Sequence, residues 1–165
     1  MNVRLLRLAA LALSMVLASA CNAPSPAPAA NDNDSAAAVA TGDAVLQVGD
    51  TWVRASVVQT SLLPASVARQ YGVARDPRTL LLLVVAGKGP PASATPVPVM
   101  VTARARDLTG GTQTVAMRQV RDGDAMDSIG TMSTTLPATL RFDLQLSVPG
   151  QPPAAMSFSR EFYPQ

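Results

Sequence analysis

The sequence contains no histidine, one cysteine, one lysine and one glutamate in 165 residues. Without an imidazole base, neither a Ser-His-Asp nor a Cys-His nucleophile can operate. The same absence excludes histidine-ligated zinc, and a lone cysteine supplies neither an all-thiolate zinc site nor an intrachain disulfide. We therefore predict a protein that is not an enzyme, with no catalytic residues, no cofactor and no metal.

A strong charge of one sign is also lacking. The formal net charge is +2, and Arg4 and Arg7 account for both charges, so the remaining residues carry eleven basic and eleven acidic side chains. A neutral chain with scattered arginines has no long-range field that would attract nucleic acid or an anionic membrane surface. Nucleic acid is accordingly excluded as a partner.

The first twenty residues have the features of an export signal. Arg4 and Arg7 precede a run of thirteen mostly apolar residues, Leu8 to Ala20, and a membrane-spanning helix needs about 20. The run ends in the small residues Ala-Ser-Ala. These features predict a signal peptide over residues 1–20, with cleavage between Ala20 and Cys21.

The lone cysteine directly follows the predicted signal. The stretch from Leu17 to Cys21 resembles a bacterial lipobox, in which the cysteine becomes the lipidated N terminus. The same residues also suit ordinary signal peptidase, which would leave Cys21 as a thiol on a soluble periplasmic protein. Residues 22–43 are rich in Ala, Pro, Ser, Asn and Asp and bury too little apolar surface to order. Such a tether favours lipid attachment at Cys21, and Asn22 in place of the aspartate typical of inner-membrane lipoproteins favours the outer membrane.

Residues 44–165 are predicted to form one all-β domain. Seven segments are rich in β-branched residues or alternate between apolar and polar side chains, and turn residues separate them: 51–58, 79–86, 97–106, 112–120, 125–132, 140–148 and 154–163. Pro64 and Gly72 suit the two ends of one short helix over 64–71. We predict an immunoglobulin-like antiparallel sandwich of about seven strands, with a small barrel as the main alternative.

Two of these segments also predict which faces are buried. In 140–148, Leu140, Phe142, Leu144, Leu146 and Val148 alternate with polar residues and share one face. Segment 79–86 is apolar throughout, which indicates burial on both faces.

Two groups of side chains are candidates for a site. Asp122, Asp124 and Asp127 lie in a short acidic stretch. They could begin a calcium loop, but the glycine and glutamate of an EF-hand are missing at the required spacing, so a polar hairpin turn is favoured. Trp52 and the C-terminal aromatics Phe158, Phe162 and Tyr163 could line a ligand pocket, or they could belong to the core.

The order of several short motifs resembles one known family. Gly49-Asp50, the Leu62-Leu63-Pro64 helix start, Tyr71-Gly-Val-Ala-Arg75 and the Phe158-Ser-Arg-Glu-Phe-Tyr163 end are similar to a family of small exported proteobacterial proteins described as domain of unknown function 4426. The likeness covers about residues 49–164. It implies an immunoglobulin-like sandwich in the periplasm and no known activity. Thr51 and Asp127-Ser128 stand where the family has tyrosines, so any surface that those tyrosines form in relatives is weakened here.

Two functions remain open from the sequence. The first is a non-catalytic, periplasm-facing lipoprotein, anchored to the membrane through Cys21, that binds a protein or another envelope component. The second is a small-molecule binding module that uses Trp52 or the C-terminal aromatics.

Overall fold

The computed structural model describes residues 42–165, which form nine β-strands, one α-helix and two 3-10 turns. The helix α1 spans Ala65–Tyr71, and the 3-10 turns span Thr60–Leu62 and Pro91–Ser93. The strands are β1 Ala44–Val48, β2 Thr51–Gln59, β3 Thr79–Lys88, β4 Thr95–Pro96, β5 Met100–Asp107, β6 Thr112–Asp122, β7 Ala125–Ser133, β8 Ala138–Ser147 and β9 Ala154–Phe162.

The predicted export features fall outside this range. The signal peptide, the cleavage site between Ala20 and Cys21, the lipid attachment at Cys21 and nearly all of the tether precede the described residues. Within residues 42–165, no helix is both long enough and apolar enough to cross a membrane.

All main strands pair antiparallel in one continuous sheet, in the order β1-β2-β3-β7-β6-β5-β8-β9, with β4 paired to the far end of β3. Strand β6 changes its partner along its length. Residues 112–115 pair with β5, whereas residues 116–122 pair with β7. Because β6 crosses from one half of the sheet to the other, the sheet folds over on itself, and the end strands β1 and β9 come into contact.

The all-β prediction is confirmed, and the seven-strand immunoglobulin-like sandwich is wrong in its details. Every predicted segment is a strand, but β1 and β4 were missed and the sheet is nearly barrel-shaped. Strand β1 has five residues at an edge and β4 has only two, so neither carries a long periodic pattern. The change of partner along β6 depends on which strands pair with it, and the alternation of apolar and polar residues along a strand does not indicate its partners.

The interior is apolar and follows the predicted faces. All five alternating residues of segment 140–148 are buried, and Phe142 among them has no exposed surface. Phe142 stacks on Phe158 with 5.2 Å between the ring centres. Full burial of one such side chain stabilises the fold by roughly 1.5–3 kcal/mol, so this interior carries most of the stability of the domain.

A second, smaller apolar cluster lies on the outer face, beneath α1. The helix begins after Pro64 and ends at Gly72, whose φ of 62° is left-handed, as the sequence predicted. It packs Ala68 and Tyr71 over Leu81 and Ile129. This arrangement explains why β3 is apolar throughout. One set of alternate residues faces the interior, and the other set faces the outer cluster beneath the helix.

Candidate functional site

A cleft opens on the outer face where β3 and β7 diverge. The two strands pair through Thr79–Val84 and Ser128–Ser133. Beyond that point, β3 pairs with β4 and β7 pairs with β6. The gap is a cavity of about 330 Å³, here called the Trp52 cleft, whose walls include Trp52, Tyr71, Val85, Pro96, Asp122 and Asp127.

The position of Trp52 depends on a glycine on the neighbouring strand. Trp52 faces Gly87 across the β2–β3 pair, and a Cβ at position 87 would lie 2.7 Å from the indole and 3.0 Å from the Cβ of Ala94. The indole therefore packs closely against the backbone of Gly87. Its Nε1 donates a hydrogen bond to the Gly89 carbonyl at 3.0 Å, and the Arg54 guanidinium lies 5.2 Å from the ring centre. These contacts fix one wall of the cleft.

The opposite wall carries a buried tyrosine–carboxylate pair. The Tyr71 hydroxyl donates a hydrogen bond to Asp127 Oδ2 at 3.0 Å, and the two residues are 7% and 5% exposed. Arg118 donates a hydrogen bond to the Tyr71 carbonyl, which holds the helix end in place. Among the described residues, Asp127 accepts this hydrogen bond through Oδ2, and Oδ1 is not one of the buried atoms that lack a partner, so Oδ1 remains accessible.

Burial controls the ionisation of this pair. It raises the pKa of Asp127, the hydrogen bond from Tyr71 opposes that rise, and the charge of Asp122 adds to it. Burial and the Asp127 carboxylate together raise the pKa of the Tyr71 hydroxyl well above its ordinary value. Tyr71 is therefore a donor that does not ionise near neutral pH.

The rim adds a second carboxylate. Asp122 Oδ1 accepts a hydrogen bond from Gln70 Nε2 at 2.6 Å, which links β6 to the helix. Among residues 42–165, neither a lysine nor an arginine lines the cleft. The cleft is thus acidic, although the chain from Cys21 onward carries equal numbers of basic and acidic side chains.

The predicted aromatic candidates separate into different environments. Phe158 and Phe162 are buried in the interior. Tyr163 is 57% exposed, and its hydroxyl donates to Glu161 at 2.7 Å. Of the four aromatic candidates, Trp52 alone lines the cleft. Sequence reasoning named Tyr71 only as part of the motif that carries the family resemblance and did not predict it as a site residue.

The acidic stretch forms the hairpin turn that the sequence favoured. Asp122 pairs with Ala125, and Gly123 between them has a φ of 59°. Asp124 occupies the turn. In the part of the chain that the structure describes, no three His, Cys, Asp or Glu side chains converge so as to hold a metal ion. Asp127 belongs to the cleft through its bond to Tyr71.

A larger opening of about 910 Å³ lies at another end of the sheet and carries less chemistry. Asp107 on its wall accepts hydrogen bonds from the backbone N–H groups of Thr109 and Gly111 at 2.9 and 2.8 Å. These bonds and the Thr109 hydroxyl lower the pKa of Asp107. The carboxylate is committed to closing the β5–β6 turn, so the Trp52 cleft is the stronger candidate.

The family model for domain of unknown function DUF4426 matches residues 45–165. The chain belongs to this family. The match confirms the sequence-based resemblance and extends it to include β1. A search of curated proteins finds no match.

One solved structure belongs to the same family, and two others share the fold. A DUF4426 family protein from Pseudomonas aeruginosa is 28% identical, with a TM-score of 0.64 over 75% of this chain and 97% of that one. A copper-bound variant of FetP from uropathogenic Escherichia coli is 10% identical, with a TM-score of 0.54 over 74% of this chain and 95% of that one. FetP as isolated, at 9% identity, has the same TM-score over 74% of this chain and 94% of that one. The FetP likeness concerns the fold alone.

Thr51, Asp127 and Ser128, the three positions where the sequence analysis expected tyrosines in relatives, are buried in this DUF4426 chain. Thr51 has no exposed surface and Ser128 is 1% exposed. The Ser128 hydroxyl faces inward and donates to the Val99 carbonyl. Only Asp127 faces the cleft. Of these three positions, only position 127 can therefore alter the surface of the cleft.

Proposed function

We propose that this DUF4426 protein is a non-catalytic binding protein that holds a small molecule in the Trp52 cleft. One observation carries the proposal: β2, α1 and β7 bring Trp52, Tyr71 and Asp127 onto the walls of one cavity of about 330 Å³. Small-molecule sites are typically concave, largely apolar and roughly 300–1,000 Å³ in volume, with a few polar groups placed for specificity. The cleft lies at the small end of this range, and most of its lining residues are apolar, with Asp122 and Asp127 as its charged groups.

Binding without catalysis suits the chemistry of the pair. Tyr71 donates to Asp127, and its raised pKa keeps it from acting as a nucleophile. A general base must reach the proton that it removes, and Asp127 Oδ2 already accepts the hydrogen bond from Tyr71. The pair is better suited to orienting a ligand than to transforming one.

A ligand screen by thermal shift tests this function. We expect at least one compound to raise the melting temperature of the wild-type domain and to change the emission of Trp52, the only tryptophan in the chain. The shift should vanish in Trp52→Ala and persist in Tyr163→Ala, an exposed aromatic away from the cleft. Shifts that survive Trp52→Ala would place the ligand elsewhere and contradict the proposal.

The cellular location is proposed from the N-terminal sequence. Export by residues 1–20 and lipid attachment at Cys21 would place the domain in the periplasm, tethered to the outer membrane by residues 22–43. The intact mass of the mature protein tests this. We expect a mass that includes acyl chains and loses them in Cys21→Ser. A wild-type mass without acyl chains would instead indicate a soluble periplasmic protein with a thiol at its N terminus.

The second candidate, a protein or envelope-component interaction module, rests on a different opening. β5 pairs with β6 only through residues 103–106, and before that point a cavity of about 500 Å³ separates Met100 from Met117. Met100 is 69% exposed, and methionine side chains adapt to varied partners. A photo-crosslinker at position 100 should trap a specific partner in cells, whereas one at Gln113 should not. Identical products at both positions would count against this candidate.

A further inference from the structure

We infer that the ligand of the Trp52 cleft carries a positively charged amine attached to an apolar or aromatic body. This inference rests on the proposed small-molecule site and names the chemical class that the site selects. It concerns the Asp127 carboxylate, the Trp52 ring and the apolar wall between them.

The side-chain polar groups that remain free to bind a ligand in the cleft are hydrogen-bond acceptors. Asp122 and Asp127 both line it, and no basic side chain does so among the described residues. The two side-chain donors that face it are already engaged, since Trp52 Nε1 donates to Gly89 and the Tyr71 hydroxyl donates to Asp127. A ligand carboxylate or phosphate would find no side-chain donor and would be repelled by two carboxylates. A ligand with N–H donors and a positive charge would instead find free acceptors and would be attracted by the two carboxylates.

Asp127 is the group that would receive the amine. The residue is 5% exposed, its Oδ2 accepts from Tyr71, and within residues 42–165 its Oδ1 has no donor. Oδ1 is not one of the buried atoms that lack a partner within residues 42–165, so it is accessible to a ligand. An ammonium group donating to Oδ1 would form a charge-assisted hydrogen bond, roughly twice as strong as a neutral one. Tyr71 would hold the carboxylate in the orientation needed.

The remaining walls fit the rest of such a ligand. The Trp52 ring offers apolar surface to the body of the ligand, since the Arg54 guanidinium already lies over the ring, 5.2 Å from its centre. Leu83, Val85 and Met126 line the cleft and offer apolar surface to the body of the ligand. Charge, hydrogen-bond acceptors and apolar surface thus select the same chemical class.

Three probes that share one body test the inference: phenethylamine, phenethyl alcohol and phenylacetate. Calorimetry on the mature protein, with Trp52 emission as a second readout, should show that the amine binds at least tenfold more tightly than the alcohol. The carboxylate should not bind. Asp127→Asn should weaken amine binding at least tenfold while leaving the alcohol unchanged. Asp43→Asn, an exposed carboxylate at the start of the domain, is the matched control and should change neither.

The outcomes separate this inference from the proposed function. Binding of the alcohol or the carboxylate as tightly as the amine, with loss in Trp52→Ala, would overturn the inference and keep the cleft as a ligand site. Failure of all three probes would also overturn it, and the wider thermal-shift screen would then decide the proposed function separately. Because asparagine at position 127 can still accept from Tyr71, Asp127→Asn should fold, and circular dichroism melting would verify that.

Discussion

The interior cluster and the outer cluster beneath α1 are built on opposite faces of the same two strands, β3 and β7. The interior contains twenty buried apolar residues, drawn from eight strands, the segment between β4 and β5, and the residue that follows β8. The outer cluster contains five, and it borders a cleft where a carboxylate and a hydroxyl are buried together. The large cluster supplies stability, so the small one can include polar groups whose burial is costly. Binding chemistry is therefore expected on the outer face.

The largest expected effect comes from emptying the centre of the interior. Phe142→Ala removes a fully buried ring and its stacking on Phe158. We expect the free energy of unfolding in urea to fall by about 3–5 kcal/mol. The Trp52 cleft should keep its ligand affinity at temperatures where the variant remains folded. A loss below about 1 kcal/mol would show that the interior is not the main source of stability.

Filling the close contact beneath Trp52 should affect both stability and the cleft. In Gly87→Ala, the new methyl group meets the indole and Ala94. We expect a loss of about 1–3 kcal/mol from overpacking and a red shift of Trp52 emission as the indole moves into water. Gly42→Ala is the control, since a Cβ there meets nothing within 4 Å. Unchanged emission in Gly87→Ala would contradict the proposed support of Trp52.

Breaking the buried hydrogen bond between Tyr71 and Asp127 should lower the stability of the domain by an amount that depends on pH. Tyr71→Phe leaves Asp127 without its donor, which should cost about 1–3 kcal/mol. Because the folded state already raises the pKa of Asp127, stability declines as the pH rises from the ordinary aspartate range through that raised value. Losing the Tyr71 hydrogen bond raises this pKa further, so the loss should be larger at neutral pH than in acid, where Asp127 is protonated in both states.

The control for this pair is Tyr163→Phe, which removes an exposed hydroxyl bonded to Glu161. Its melting temperature should match that of the wild type across the same pH range. An equal loss in Tyr71→Phe at acid and neutral pH would mean that the Tyr71 hydroxyl does not influence the ionisation of Asp127.

The smallest expected effect is a gain in stability from replacing Arg160, the one charged side chain on the interior face of β9. Arg160 is 9% exposed, and its Nη1 is buried without a hydrogen-bond partner among residues 42–165. Arg160→Met keeps the apolar stem and removes the charge, so we expect a gain of about 1 kcal/mol. Arg69→Met on the exposed face of α1 should change little. A clear loss in Arg160→Met would show that this guanidinium is stabilised where it lies.

The interior was predictable because its signal is local. Alternation from Leu140 to Val148 identifies one buried face, and Pro64 with Gly72 marks the two ends of the helix. The cleft was only partly predictable. Trp52 was a candidate as the single tryptophan, whereas Asp127 was assigned to a turn, because its bond to Tyr71 joins residues 56 positions apart. Contacts of that separation leave no periodic pattern in the sequence.

The partner change of β6 has a consequence for how the domain opens. A strand that hydrogen-bonds to β5 through one part and to β7 through the other leaves neither half of the sheet able to detach alone. Unfolding of β6 would remove the ladder of residues 112–115 with β5 and the ladder of residues 116–122 with β7 together. The domain should therefore behave as one cooperative unit in hydrogen exchange, with β6 among its last strands to exchange, and protease sites should stay confined to the turns and ends.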